Sequence, residues 1–245
     1  EADYLREGDY LQRYRDLLSD APQYALPGLH PDLTTRHVLA MDYVGGVPLE
    51  ALVDSPQATR DRVTELLFAL LLREVFEFRL VQTDPNFANY RYDMDTQQLI
   101  LLDFGATRPY KVSMARDFRR LISGAMAADR AAMADACLAI GYFDATSQTR
   151  HKEAVVDIGV DALEPFCQPG PYDFGTTDLP ERVRSGGLAL GTDRAFWKIP
   201  PTDAMLLQRK FGGLYLLAIR LKACVDIHAL AQATFAARKR SQPQK

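Results

Sequence analysis

The stretch from Gln82 to Gly105, QTDPNFANYRYDMDTQQLILLDFG, restricts the fold more than any other part of the chain. A long apolar helix pattern leads into it. Ser55-Pro56 supplies an N-cap hydroxyl and a first-turn proline, and Val63, Leu66, Leu67, Leu70, Leu71 and Phe78 then recur at helical spacing until near Leu80, before Pro85. Tyr90-Arg91-Tyr92 and Leu99-Ile100-Leu101-Leu102 bracket the polar turn 93–97, the pattern of a β-hairpin. Asp84 and Asn89 fall on the loop between helix and hairpin. Asp103 falls at the end of the second strand, 19 positions after Asp84, with Phe104-Gly105 behind it.

This order suits phosphate chemistry. Phosphoryl transfer asks a protein for positioning and charge neutralisation rather than covalent work. Mg²⁺ takes oxygen ligands, commonly one or two carboxylates together with substrate phosphates. Asp103 offers a carboxylate and Asn89 a neutral amide oxygen, and both are read as metal ligands. Asp84 is read as the group that orients a hydroxyl or water and accepts its proton. Singly each residue says little, because an aspartate in a turn is commonly a turn former. Order, elements and spacing together carry the reading. Upstream, HVLAMDYV at 37–44 reads as a short buried strand ended by Gly45-Gly46 and Pro48. Met41, Asp42, Tyr43 and Val44 would there offer backbone N–H and C=O groups to an adenine ring.

Around this centre the pattern predicts an α+β, mostly helical fold. Residues 1–19 read as an amphipathic helix, broken by Pro22, Pro27, Gly28 and Pro31. After Tyr110, helices are expected over 112–128, 130–140, 147–166, 203–223 and 226–238, with Asp129, Thr146 and Thr202 as N-caps. Loops are expected over 168–175 and much of 185–201. The apolar 203–223 helix carries Gly212-Gly213 in its middle. Each glycine costs about 1 kcal/mol against alanine, so the pair points to close backbone packing or a kink. Two roles stay open for this helix. It is buried core, or it walls an apolar groove for an isoprenoid tail or partner helix, with Phe174, Trp197 and Tyr215 lining it.

Composition excludes several classes. A net charge of -3 argues against a nucleic-acid partner. Cys137, Cys167 and Cys224 have neither CxxC nor CxH spacing, so no disulfide framework or zinc site is expected, and a reducing compartment fits. No run approaches the ~20 apolar residues of a membrane span, and the first residues show no signal peptide. His30, His37, His151 and His228 read as loop or surface residues. The basic tail 238–245 reads as a frayed terminus or a weak contact with anionic lipid.

Six runs carry a family likeness: EADYLRE at 1–7, VLAMDYVGGVPL at 38–49, REVFEFRLVQTDPNFANY at 73–90, LLDFGATRPY at 101–110, PYDFGTTD at 171–178 and LQRKFGGLYLLAIRLKA at 207–223. The chain resembles the UbiB protein-kinase-like family, most closely its coenzyme Q biosynthesis branch. Gln-Thr-Asp in place of the usual kinase His-Arg-Asp, followed by Pro-Asn, is its specific mark. The resemblance implies a protein-kinase-like C-lobe with a remnant of the N-lobe and an extra C-terminal helical extension. The divisions are an N-lobe remnant at 1–44, a kinase-like C-lobe catalytic core at 45–110 and a family-specific helical portion of the C-lobe at 111–245. It implies ATP and Mg²⁺ as cofactors, Asp84 as the catalytic-loop aspartate, and Asn89 and Asp103 as metal ligands. It implies Glu1 and Asp3 as the family's acidic pair, Glu1 facing a strand lysine at the ATP phosphates. That lysine, the alanine-rich nucleotide loop and the Lys-x-Gly-Gln element lie upstream of Glu1 in such proteins, so the chain alone is expected to bind Mg-ATP poorly.

No Ala-Pro-Glu segment follows Asp103-Phe104-Gly105, so a protein substrate has no obvious seat. The family therefore implies ATPase-like or small-molecule and lipid-linked activity. A prenylated lipid or quinone precursor is the implied partner. The high Ala and Arg usage suggests a bacterial source, and with no span in this sequence a cytoplasmic protein, peripheral at the inner membrane, is expected. Two other readings stand beside this one. One is a nucleotide- and lipid-sensing scaffold without turnover. The other is a small-molecule phosphotransferase of the aminoglycoside or choline type, which shares Asp-x-x-x-x-Asn but not the QTDPN and DFGATR runs.

Overall fold

A computed structural model describes residues 3–196 and 198–240. Asp3 caps the first helix, α1 (Tyr4–Leu17), its carboxylate accepting from Arg6 N at 3.4 Å. Leu11 and Tyr14 form the buried face of α1. The chain then crosses β1 (Tyr24–Ala25) and reaches residues 37–44, expected as a strand. No regular strand forms there. Met41 makes an isolated bridge to Leu29, and His30 N and Asp42 N donate to the carbonyls of Ala40 and Gly28. Tyr43 is 94% exposed and Val38 and Met41 are exposed too, so this apolar run has no facing layer to bury it. The ladder begins only at β2 (Val47–Pro48).

Helix α2 (Gln57–Arg73) forms the axis of the core. Its buried side chains, among them Val63, Leu66, Phe68 and Leu70 to Leu72, occupy most of its circumference, so it needs neighbours on all sides. Pro56, not Ser55, holds its N-cap position, and no side chain caps it. Ser55 N instead closes the preceding turn onto Leu52 O. A π-turn over Glu74–Phe78 continues α2 and buries Glu74, Val75 and Phe76. Arg79, at φ 52°, ends it and turns the chain into β3 (Leu80–Gln82).

The expected hairpin is present. β4 (Tyr90–Asp93) pairs antiparallel with β5 (Gln98–Leu101), in register Tyr90↔Leu101 to Asp93↔Gln98. β1 adds to β5 in parallel and β2 to β4 antiparallel, giving the order β1-β5-β4-β2. β6 (Thr107–Pro109) returns to pair antiparallel with β3.

The remainder is helical: α3 (Val112–Met126), α4 (Arg130–Ile140), α5 (Thr149–Ala162), α6 (Glu164–Cys167), then β7 (Tyr172–Asp173), α7 (Leu179–Thr192), α8 (Thr202–Arg220), β8 (Cys224–Val225) and α9 (Ile227–Arg240). Asp129 caps α4 as expected, accepting from Ala132 N at 2.9 Å. Thr146 does not cap α5; its hydroxyl bonds Asp144 in the preceding turn, and Gln148 takes the cap position. Thr202 lies inside α8, after Pro201. The expected helix 147–166 is two helices, divided at Leu163.

Helix α7 overturns part of the loop expected over 185–201. Gly186 serves packing: a Cβ there would lie 2.8 Å from Ile158 Cγ1 on α5. His151 is also not a surface residue. It is buried, its Nε2 2.9 Å from Asp193 Oδ2, against the Phe196 ring. β8 pairs with β7, and α8 and α9 close over α2. One hydrophobic core runs from Leu11 to Ala231.

Candidate functional site

Two sets of backbone bonds hold the loops 83–89 and 102–106 side by side. At one end, β3 pairs with β6, and Thr83 donates through both N and Oγ1 to Ala106 O, at 3.2 and 2.8 Å. At the other, Leu102 N donates to Asn89 O at 3.0 Å. Asp84, Asn89 and Asp103 therefore sit on adjoining loops of one edge. Asn89 is buried, Asp84 half-buried and Asp103 exposed.

Asn89 Nδ2 donates to Asp84 Oδ2 at 3.0 Å. Committing the nitrogen to Asp84 leaves the amide oxygen, Oδ1, without a hydrogen-bond donor among the described residues. Asp103 Oδ1 accepts from Gly105 N at 2.8 Å, and its Oδ2 is likewise free of donors. The open acceptors are one amide oxygen and one carboxylate oxygen. That set fits Mg²⁺, which usually takes few protein ligands and fills its shell with phosphate and water oxygens. Among the described residues no group of three or more His, Cys, Asp or Glu surrounds a common point, so no all-protein metal cage competes with this arrangement.

Glu7, not singled out from sequence, reaches the same place. Its Oε1 lies 3.4 Å from Phe104 N, and its Oε2 would lie 3.2 Å from a Cβ on Gly105. Burial and then the nearby Asp103 push its carboxyl upward, while the Phe104 N–H pulls the other way. Its placement at i−4 from Leu11 and i−7 from Tyr14, on the buried face of α1, was the available signal. Asp3 serves as the α1 cap and is exposed. Glu1 lies outside the described residues.

Met41, Asp42, Tyr43 and Val44 form no part of a regular strand. Asp42 turns back, accepting from Gly28 N at 3.0 Å and pairing with His30 Nε2 at 2.9 Å. The segment that follows is tied to the site strand: Arg91 on β4, two residues after Asn89, donates to Gly45 O and Gly46 O.

Behind the loops lies a buried polar network. The Tyr14 hydroxyl donates to Glu74 Oε1 at 2.7 Å and lies 3.0 Å from Leu80 O, while the Tyr14 ring packs 4.8 Å from that of Phe104. Gln82 N also donates to Glu74 Oε1. Burial raises the Glu74 carboxyl, with Lys210, Tyr14 and Gln82 offsetting part of the rise. Helix α8 enters this network from the opposite side. Lys210 Nζ donates to Gln82 Oε1 at 2.9 Å and Tyr90 OH at 2.5 Å. Arg209 Nη2 donates to Asp84 Oδ1 at 2.8 Å.

The other face of α8 borders a cavity of about 760 Å³ among α3, α4, α5, α7 and α8, with Phe118, Val155, Leu190, Phe211, Tyr215 and Leu216 in its walls. Tyr215, expected to line an apolar groove, is there. Phe174 is not: it is buried in the core, stacked against Phe68 at 5.8 Å. Trp197 lies outside the described residues.

Oxygen-bearing side chains on two adjoining loops, one of them Asp103-Phe104-Gly105, set in a mostly helical lobe define a kinase-like protein, and comparison with known proteins agrees. The family model described as the ABC1 atypical kinase-like domain matches residues 1–137. The chain is 33% identical over its whole length to a mitochondrial atypical kinase COQ8B of Danio rerio, spanning 39% of that protein. It is 34% identical over 96% of its length to the COQ8B of Rattus norvegicus, spanning 44% of it. It is 32% identical over 96% of its length to the mitochondrial atypical kinase COQ8 of Saccharomyces cerevisiae, spanning 47% of it. The chain thus spans less than half the length of these relatives. The structure of Rv3197 from Mycobacterium tuberculosis, solved in complex with erythromycin, shares the fold: TM-score 0.73, 18% identity, 95% of this chain and 57% of that one. The chain belongs to the ABC1 atypical kinase-like family, the UbiB group indicated by its motifs.

Proposed function

We propose that this chain carries the Mg²⁺-nucleotide edge of a UbiB-type atypical kinase or ATPase that supports ubiquinone biosynthesis. One observation supports it above the others: Asn89 gives its amide N–H to Asp84 and thereby leaves its oxygen, with that of Asp103, for a hard cation. Asp84 would orient the attacking hydroxyl or water and take its proton. Asn89 and Asp103 would hold the ion, which when bound offsets phosphate charge. Glu7 stands beside Asp103 and the Phe104 amide, where it limits how that loop can move.

Asp103→Asn in the full-length protein is the test. ATP turnover is expected to fall below detection with the circular dichroism spectrum unchanged. ATPase activity at the wild-type rate in that variant would remove the site assignment.

The cavity supports the second half of the reading, an apolar ligand such as a prenylated quinone precursor seated against α8. Prenylated precursor should slow amide exchange in α7 and α8, and exchange left unchanged would make the cavity a packing defect. Among the described residues no helix is long and apolar enough to cross a membrane. In this reading membrane contact is peripheral. A scaffold that binds nucleotide without turnover is the second reading, and the Arg209 guanidinium on Asp84 favours it, because that cation occupies the oxygen a nucleophile would use. Single-turnover ATP consumption, with and without liposomes, separates the two.

A further inference from the structure

We infer that Lys210 is a positioning residue that fixes the loop from Thr83 to Asn89 by holding both of its ends. The inference rests on the kinase or ATPase reading of that loop. Gln82 immediately precedes Thr83, and Tyr90 immediately follows Asn89. The single ammonium of Lys210 donates to both, at 2.9 and 2.5 Å. The loop is closed by a side chain from a helix more than a hundred residues away in sequence, with |i−j| of 128 and 120.

The surroundings explain why a cation is there at all. Lys210 is 1% exposed, and among the described residues no carboxylate comes within ion-pairing distance of it. Burying an ammonium is costly, and for stability alone an apolar side chain of similar length usually serves as well or better. What the ammonium adds is direction: its donors demand that the Gln82 amide oxygen and the Tyr90 phenol oxygen converge on one point. Burial would lower its pKa, but Tyr90 and Glu74 nearby and the bond to Tyr90 outweigh burial and raise it on balance. Gln82 has little freedom left. Its backbone N–H is spent on Glu74, its oxygen on Lys210, and its Nε2 is buried with no partner among the described residues.

The same helix meets the middle of the loop. A Cβ on Gly213 would lie 2.1 Å from Pro85 Cβ, so α8 and the loop are in backbone-close contact. The two contacts place the loop at its start, its middle and its end. Pinning at those points keeps Asp84 and Asn89 in a fixed relation to the Asp103 loop, and displacement by about 1 Å can cost about 10²-fold in rate.

The test compares Lys210→Met with wild type in the full-length protein. Met keeps the unbranched length and removes the charge. Expected are a kcat for ATP lowered about 30- to 100-fold with KM for Mg-ATP changed less than about 3-fold. Amide exchange across 83–90 should accelerate about 10-fold in nucleotide-free protein. Unchanged exchange across that loop overturns the inference, as does unchanged kcat. If wild type shows no ATP turnover, the functional reading fails, and loop exchange alone decides the role of Lys210. Should Lys210→Met fail to fold, Tyr90→Phe, which removes only the phenol oxygen, carries the test. Faster exchange across 83–90 in that variant supports the inference, and wild-type exchange overturns it.

Discussion

Gly212 and Gly213 are the same residue, adjacent in one helix, and their surroundings are opposite. At Gly213 an added Cβ would overlap Pro85 of the Asp84–Asn89 loop. At Gly212 it would meet nothing within 4 Å, because that position opens on the cavity. Helix α8 thus has a loop side, with Arg209, Lys210 and Gly213, and a cavity side, with Gln208, Phe211, Gly212, Tyr215 and Leu216. The comparison shows that one glycine of the pair is required by contact, while the other is tolerated at the cost of helix stability. It also puts the cavity one helix thickness from the loop that carries Asp84 and Asn89.

The contrast is tested most severely by Gly213→Ala. Overpacking against Pro85 should destabilise the fold by about 1–3 kcal/mol in urea denaturation, with turnover lowered by about 10²-fold as the loop shifts. Wild-type stability would mean that α8 backs away freely and does not clamp the loop. The titrating groups give the next contrast. Burial raises the Glu74 carboxyl above its ordinary 4.5, so the folded chain keeps that proton to higher pH than the unfolded chain does. Stability contributed by Glu74 is therefore full below 4.5 and falls as pH rises toward the elevated native value. Glu74→Gln should remove that slope from urea midpoints measured between pH 3.5 and 7, and equal slopes would place its source elsewhere.

On the cavity side, burial pushes the Cys137 thiol up to about 12, so it adds no such slope near neutral pH and should resist thiol reagents until the fold opens. Labelling at the rate of an exposed thiol would show the cavity to be open to water. A smaller effect is expected at Arg209→Gln, which removes an ion pair whose arginine is 61% exposed. Its stability cost should be under about 1 kcal/mol. Gly212→Ala should change stability least of all, toward a gain of up to about 1 kcal/mol from helix propensity. A loss there comparable to that at Gly213 would erase the distinction between the two faces.

Much of this was legible in advance because period and punctuation agree. The hairpin at 90–101 alternates around a polar turn, and α3, α4, α8 and α9 carry clear apolar stripes. Helix α7 was hidden because Gly186, Gly187 and Gly191 look like chain breakers until α5 is seen pressed against Gly186. The strand expected at 37–44 failed for the opposite reason: apolar residues propose a strand, but only a facing layer and consecutive backbone partners make one. At the site, Asp84, Asn89 and Asp103 were visible as spacing. Glu7 and Lys210 were missed since their meaning depends on helices packing from distant sequence. Yet Lys210 sits on the stripe Ala204, Leu207, Lys210, Leu214 and Leu217, where a charged residue breaks the apolar pattern.

The bond from Leu102 N to Asn89 O has a mechanical consequence. It couples the roots of the two oxygen-bearing loops, as a rivet joins the jaws of a caliper below their tips. Rocking of the hairpin about its base would carry both jaws together and leave the gap between them nearly constant. Changes at the exposed tip, such as at Met94, should therefore leave the spacing between Asn89 and Asp103 untouched, however mobile that tip becomes.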